Sequence, residues 1–85
     1  MEIEQALREQ IAKTPQSTAP VVLCFHGKAE VPEAELERHG FHVTEIQRVA
    51  DECFVYGNVV LARVESLGDV PGIDVVSSAP DASIN

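Results

Sequence analysis

Two cysteines and one nearby histidine are the side chains of this 85-residue sequence best suited to chemistry. Cys24 and His26 are two residues apart along a predicted strand and therefore share one face of it, while Cys53 falls on a second predicted strand. Together the three could ligate a metal, or Cys24 could act as a nucleophile with His26 as its base. A disulfide between the cysteines is a further alternative. The favoured interpretation is two small buried thiols, because free cysteine is among the most buried residue types.

The remaining histidines and the short motifs of the sequence give no indication of a catalysed reaction. His39 and His42 flank Gly40 and are predicted to be surface or helix-cap histidines. The sequence contains no CxxC, no HxxxH, no glycine-rich phosphate loop and no local signature of a Ser/His/Asp triad. A chain of this length forms one small domain with little room for a substrate pocket. We therefore predict a protein that is not an enzyme and that needs no cofactor or metal.

The charge balance is strongly acidic, with 14 Asp and Glu against 6 Lys and Arg, for a net charge of −8. Nucleic acids and anionic membranes attract clustered cations, so neither is expected as a partner. No stretch approaches the roughly 20 apolar residues that span a bilayer. The first 13 residues are charged throughout and contain no apolar core of a signal peptide. We expect a cytoplasmic location and a protein partner.

Apolar patterning places these residues on a β-α-β-β-α-β order preceded by a helix. The predicted segments are an amphipathic helix at 1–13, a linker at 14–20, strands at 21–25, 41–49, 53–62 and 73–76, helices at 32–39 and 63–70, a main domain at 21–77 and a flexible tail at 78–85. The apolar phase changes within 41–49, which predicts a bulge or bend. Gly57-Asn58 is predicted to interrupt the third strand with a bulge or kink.

This order predicts an α+β fold: a ferredoxin-like, four-stranded antiparallel sheet with two helices on one face, plus the extra N-terminal helix. The strand order 4-1-3-2 makes the first and third strands central. Both are apolar on both faces, and Phe54, Tyr56 and Val60 form one side of the third strand. Because the two helices cover only one face of the sheet, something else must cover the other.

The N-terminal helix is one candidate for that cover. Ile3, Leu7 and Ile11 recur at helical spacing and give the helix an apolar stripe. We expect the stripe to pack within the chain, and a dimer or partner surface is the alternative. If the helix folded onto the open side of the sheet, it would block any docking there.

Residues 21–85 resemble the propeptide domain of subtilisin-like proteases and its free-standing relatives, the peptidase inhibitor-nine family. The resemblance lies in the opening strand VVLCF at 21–25, in the segment from Leu36 through GFHV at 40–43, and in the central strand VYGNVVL at 55–61. Its most specific part is residues 64–76, where a short helix leads through VPG into the last strand.

This resemblance implies a non-enzymatic protein-interaction module, a free-standing inhibitor or chaperone of a subtilisin-like protease. Such a domain docks by its sheet face, which would use Phe54, Tyr56 and Val60, and passes its C-terminal tail into the substrate cleft. The tail residues so implied are Asp81, Ala82, Ser83, Ile84 and Asn85. The alternative is a small-ligand sensor domain that dimerises through its sheet, which would make the protein a homodimer.

Overall fold

A five-stranded mixed sheet with helices packed on one face forms the protein, in a computed structural model that describes residues 1–27 and 30–79. The elements are β1 (Glu2–Ile3), α1 (Gln5–Lys13), β2 (Thr18–His26), α2 (Glu33–Arg38), β3 (His42–Val49), β4 (Glu52–Val60), a 3₁₀ helix (Leu61–Asp69) and β5 (Ile73–Ser78). The strands lie in the order β1-β5-β2-β4-β3. Among the described residues, β1 and β5 are the one pair of strands that runs parallel. The α+β class is confirmed, but the sheet differs from the predicted four-stranded antiparallel one.

The fifth strand comes from the start of the segment predicted as a helix. Glu2 pairs with Val75 at the edge of β5, and the Glu4 amide donates to the Val76 carbonyl at 2.9 Å. The helix therefore begins only at Gln5. The extended start satisfies backbone groups that the edge of β5 would otherwise leave without partners.

Helix α1 packs into the main core rather than onto the other side of the sheet. Leu7 is fully buried in the same cluster as Leu36 of α2 and Leu67 of the 3₁₀ helix. Ile3 and Ile11 are partly buried against that cluster. Packing of the stripe within the chain is confirmed, and the alternative in which it covers the open side of the sheet is wrong.

The central strand β2 has one buried face and one partly exposed face. Val21, Leu23 and Phe25 lie in the core, whereas Val22 and Cys24 between them are only partly buried. β2 begins at Thr18, so the predicted linker ends earlier than expected. A strand that is apolar on both faces is therefore central in this sheet, but only one of its two faces is buried.

The β3–β4 pair contains the predicted bulge, but on one strand only. The register shifts between Val43 and Glu45 of β3, which confirms the bulge there. β4 runs without interruption through Gly57, so the prediction of a break at Gly57-Asn58 is wrong. A Cβ added at Gly57 would stand 2.7 Å from the Phe41 ring and would collide with the His42 carbonyl. The glycine is needed because the His42 carbonyl and the Phe41 ring both lie where a side chain at this position would start.

The core is a single cluster beneath the helices. Its members are Leu7, Val21, Leu23, Phe25, Leu36, Phe41, Cys53, Val55, Val59, Leu61, Val64, Leu67, Val70, Ile73 and Val76. The predicted helix at 63–70 is a 3₁₀ helix that begins two residues earlier, and β5 includes Ser77 and Ser78. Within residues 1–27 and 30–79, every helix falls short of the length and apolarity that crossing a bilayer requires.

Candidate functional site

The sheet surface opposite the helices is apolar at its centre. We call this surface the open face, and the apolar residues at its centre are Val22, Phe54, Tyr56, Val60 and Val75. The strand register makes them neighbours, since Val22 is the direct partner of Tyr56, and Cys24 is flanked by Phe54 and Val75. All five are partly buried, and no described element lies over them.

The predicted partner-binding residues fall into two groups. Phe54, Tyr56 and Val60 alternate along β4 and lie together on the open face, as expected for side chains two residues apart. The tail residues Asp81, Ala82, Ser83, Ile84 and Asn85 lie outside the described residues.

Acidic side chains border the open face. Glu45 of β3 is the direct partner of Tyr56, and the Gln47 side chain donates to the Glu45 carboxylate at 2.6 Å. Glu52 and Asp74 lie at the end of the face where β2 finishes. The apolar centre is thus bordered by carboxylates on two sides.

Four side chains from three adjacent strands converge at that end, and we call them the Cys24 cluster: Cys24, His26, Glu52 and Asp74. The Cys24 thiol donates to Glu52 Oε2 at 3.8 Å. His26 Nδ1 lies 3.7 Å from Glu52 Oε2 and 3.5 Å from Asp74 Oδ2. One donor atom each from Cys24, His26 and Glu52 all lie within 4.8 Å of one another.

Strand register explains how the cluster forms. His26 and Glu52 are direct partners in the β2–β4 ladder, and the Gly27 amide donates to the Asp51 carbonyl at 2.8 Å just beyond them. The β2–β5 ladder has a bulge between Cys24 and Phe25. The bulge keeps Ile73 in the core while Asp74, the extra residue, reaches His26.

The electrostatic environment of Cys24 disfavours its thiolate. Burial, the negative charge of Glu52 and that of Asp74, in that order, raise the pKa of the Cys24 thiol above its usual value. Reactive cysteines have lowered pKa values, since the thiolate is the nucleophile. The thiol also donates to Glu52 rather than to His26, so this geometry does not support a Cys24–His26 nucleophile and base.

Cys53 does not belong to the cluster. It pairs with Phe25 and lies buried in the core, on the opposite face of the sheet from Cys24. The predicted burial of both thiols is therefore right for Cys53 and wrong for Cys24, which is only partly buried. Both cysteines are free, so the disulfide alternative is wrong as well.

The alternative of a metal site formed by Cys24, His26 and Cys53 is wrong, because Cys53 lies on the other face of the sheet. The third residue near Cys24 and His26 is Glu52. The predicted strand begins at residue 53 and leaves Glu52 out, whereas the observed β4 starts at Glu52, which puts it on the same face as Phe54 and Tyr56. Asp74 had no sequence signal, since a regular β2–β5 ladder would place it on the other face. Elsewhere, His42 is exposed at 3.6 Å from a Glu37 carboxylate oxygen, as expected of a surface histidine.

Neither a protein-family model, nor a curated protein, nor a solved structure matches this chain. The resemblance to subtilisin propeptides therefore rests on the short motifs of residues 21–76. The function of the open face has to follow from its own side chains.

Proposed function

We propose that this protein is a non-enzymatic docking module that binds a subtilisin-like protease through its open face. The observation that carries the proposal is the partly exposed apolar row on the two central strands. Val22, Phe54 and Tyr56 lie side by side there, with all described helices on the opposite side of the sheet.

An apolar row of this kind suits protein docking. Exposed apolar groups that lie together, with polar groups around them, mark interaction surfaces. Aromatic side chains such as Phe54 and Tyr56 contribute large buried areas and are enriched where binding energy concentrates. They project from strands that are hydrogen-bonded on both sides, so little conformational freedom is lost on docking.

The charge pattern defines the chemistry of the partner. Glu45, Glu52 and Asp74 border the apolar row, and the whole chain carries a net charge of −8. A complementary surface has an apolar centre and positive borders, and the N-terminal ends of helices supply such positive potential. Subtilisin-like proteases, which the sequence motifs suggest, present surface helices to their propeptides.

The finer fold assignment belongs to the same proposal. The order β2-α2-β3-β4-3₁₀-β5, with strands arranged β5-β2-β4-β3, is consistent with a ferredoxin-like unit to which β1 and α1 are appended. The appended part packs beside the helices, so it leaves the docking face accessible.

The proposal is tested by titrating the protein against a panel of subtilisin-like proteases and measuring residual peptidase activity. Tyr56→Lys removes an aromatic anchor and introduces a positive charge at the apolar centre of the face, while Glu45 beside it accommodates the new cation. The matched control is Ala6→Lys, which adds the same side chain at an exposed position of α1. We expect Tyr56→Lys to weaken inhibition at least about 30-fold, the loss typical of an anchor residue, and Ala6→Lys to leave it unchanged.

Two results would overturn the proposal. The first is no inhibition of any protease by the unmodified protein; the second is equal weakening by both variants. Sedimentation of the unmodified protein covers the alternative, because a dimer that Tyr56→Lys dissociates would favour the ligand-sensing domain that dimerises through its sheet.

A further inference from the structure

We propose that the Cys24 cluster is a zinc-binding site in which Cys24, His26, Glu52 and Asp74 each supply one ligand atom. This inference does not require the proposed docking to a protease, although both proposals use the carboxylates of Glu52 and Asp74. It rests on a thiol, an imidazole and a carboxylate, from Cys24, His26 and Glu52, whose ligand atoms all lie within 4.8 Å of one another, and on a second carboxylate, that of Asp74, beside the imidazole.

The donor set selects the metal. Calcium and magnesium prefer all-oxygen ligands, whereas a sulfur, a nitrogen and carboxylate oxygens together suit zinc. Four ligands also match the tetrahedral coordination that zinc adopts in structural sites. The Cys24 Sγ, His26 Nδ1 and Glu52 Oε2 atoms supply three different donor types within one small volume.

The spacing of the donor atoms fits an ion between them. Zinc bonds of about 2.0–2.3 Å at tetrahedral angles place nitrogen and oxygen ligands about 3.4 Å apart, and sulfur and oxygen ligands about 3.6 Å apart. His26 Nδ1 lies 3.5 Å from Asp74 Oδ2 and 3.7 Å from Glu52 Oε2. Cys24 Sγ lies 3.8 Å from Glu52 Oε2. A contraction of a few tenths of an ångström brings these pairs to coordination distances. Asp74 lies outside the group of three whose atoms are all within 4.8 Å of one another, so its side chain has to turn toward Cys24 and Glu52 to become the fourth ligand.

Local ion pairing alone gives a weaker account of the cluster. The His26 side chain is 67% exposed, and exposed ion pairs contribute little free energy. Yet both carboxylates face the same imidazole nitrogen, and Glu52 Oε2 is also the acceptor of the Cys24 thiol. Two carboxylates therefore lie beside one nitrogen and one thiol. A divalent cation between these groups would stabilise the two negative charges more than a protonated imidazole does.

The scaffold suits such a site as well. The ligands come from β2, β4 and β5, which are hydrogen-bonded neighbours, and Cys24 and His26 are fixed two residues apart on one strand. Sites built on strands hold their side chains in place better than sites on loops. Coordination replaces the Cys24 proton with the ion, and the released proton passes to solvent.

The test uses the full chain after removal of metals by a chelator. Cobalt(II) reports thiolate coordination directly through its sulfur-to-metal charge-transfer absorption, and zinc competing for the same site measures affinity. Cys24→Ser is compared with Cys53→Ala, which removes the other cysteine from the opposite face of the sheet. A second matched pair is His26→Gln and His42→Gln, since His42 also lies beside a carboxylate but has no thiol near it.

We expect the unmodified protein to bind one zinc per chain, and Cys24→Ser to lose the charge-transfer band. Zinc affinity should fall at least about 10-fold in Cys24→Ser and His26→Gln, because loss of even an outer-shell partner has that effect, and should persist in Cys53→Ala and His42→Gln. Asp74→Asn should weaken zinc binding and keep the band. No binding by the unmodified protein, or equal binding by Cys24→Ser, would overturn the site, and unchanged affinity of Asp74→Asn would overturn the fourth ligand. Protease titrations are unaffected by these outcomes, so the two proposals can fail separately.

Discussion

Leu7 offers a direct test of whether the N-terminal segment is part of the folded domain. It is the only fully buried residue of α1, a nine-residue helix without a side-chain cap at its N-terminus. Isolated helices this short are barely stable in water, so tertiary packing must hold α1 in place. Truncating Leu7 therefore tests the packing of the whole segment.

The expected cost of Leu7→Ala follows from two contributions. Removing three buried carbons from the core costs about 2.4 kcal/mol at roughly 0.8 kcal/mol each. The cavity left beside the sheet adds up to about 2 kcal/mol, depending on how far its neighbours relax. We expect a loss of about 2.5–4 kcal/mol in the free energy of unfolding, out of roughly 4–13 kcal/mol for a domain of this size.

Urea unfolding followed by far-ultraviolet circular dichroism measures this loss, since the chain has one tyrosine and no tryptophan for fluorescence. At a slope of about 1–1.5 kcal/mol per molar urea, the midpoint should fall by roughly 2–4 M. Gln10→Ala, a truncation at an exposed position of the same helix, should shift it far less. A loss below about 1 kcal/mol in Leu7→Ala, with the native spectrum retained, would refute the packing of α1 into the core.

Two further changes test the sheet. Gly57→Ala should cost about 2–4 kcal/mol in the same unfolding experiment because its Cβ would meet the His42 carbonyl and the Phe41 ring, whereas Gly68→Ala, whose Cβ meets nothing closer than 3.8 Å, should be nearly neutral. Equal effects of the two would contradict the close packing of residues 41–42 against Gly57. Glu52→Gln in metal-free protein should lower the raised pKa of the Cys24 thiol and speed its alkylation at pH 8 by a few-fold, since more thiolate is then present. An unchanged alkylation rate would show that the charge of Glu52 does not raise the pKa of the Cys24 thiol.

The sequence was informative wherever apolar spacing decides structure. The apolar runs around Leu23 and Val55, apolar on both faces, identified the two central strands, and the phase change after Val43 identified the bulge in β3. Such patterns depend on burial, the largest local signal in a sequence. Apolar patterns do not specify which segment pairs with the edge strand of a sheet, so they did not predict the parallel strand at Glu2–Ile3 beside β5.

The Cys24 cluster was harder to predict because it depends on register and on a bulge. Cys24 and His26 were identifiable as a pair from their spacing alone. Glu52 depends on the strand beginning one residue earlier than expected, and Asp74 depends on the irregularity opposite Phe25. Glu52 lies on the same face as Cys24 and His26, whereas Cys53, the next residue along β4, lies on the other face, so alternation along the strand decides which of the two can join the cluster.

Polar residues, rather than apolar ones, decide which side of the central strands faces the core. Val22 and Tyr56 could be buried as readily as Leu23 and Val55, so apolar content leaves the two faces of these strands nearly equivalent. A reversed sheet would place His26 and Glu52 under the helices, where burying charged groups without full compensation costs several kcal/mol. The residues proposed to bind zinc therefore also help to fix the register of the sheet, and with it the apolar row that is proposed to dock a protease.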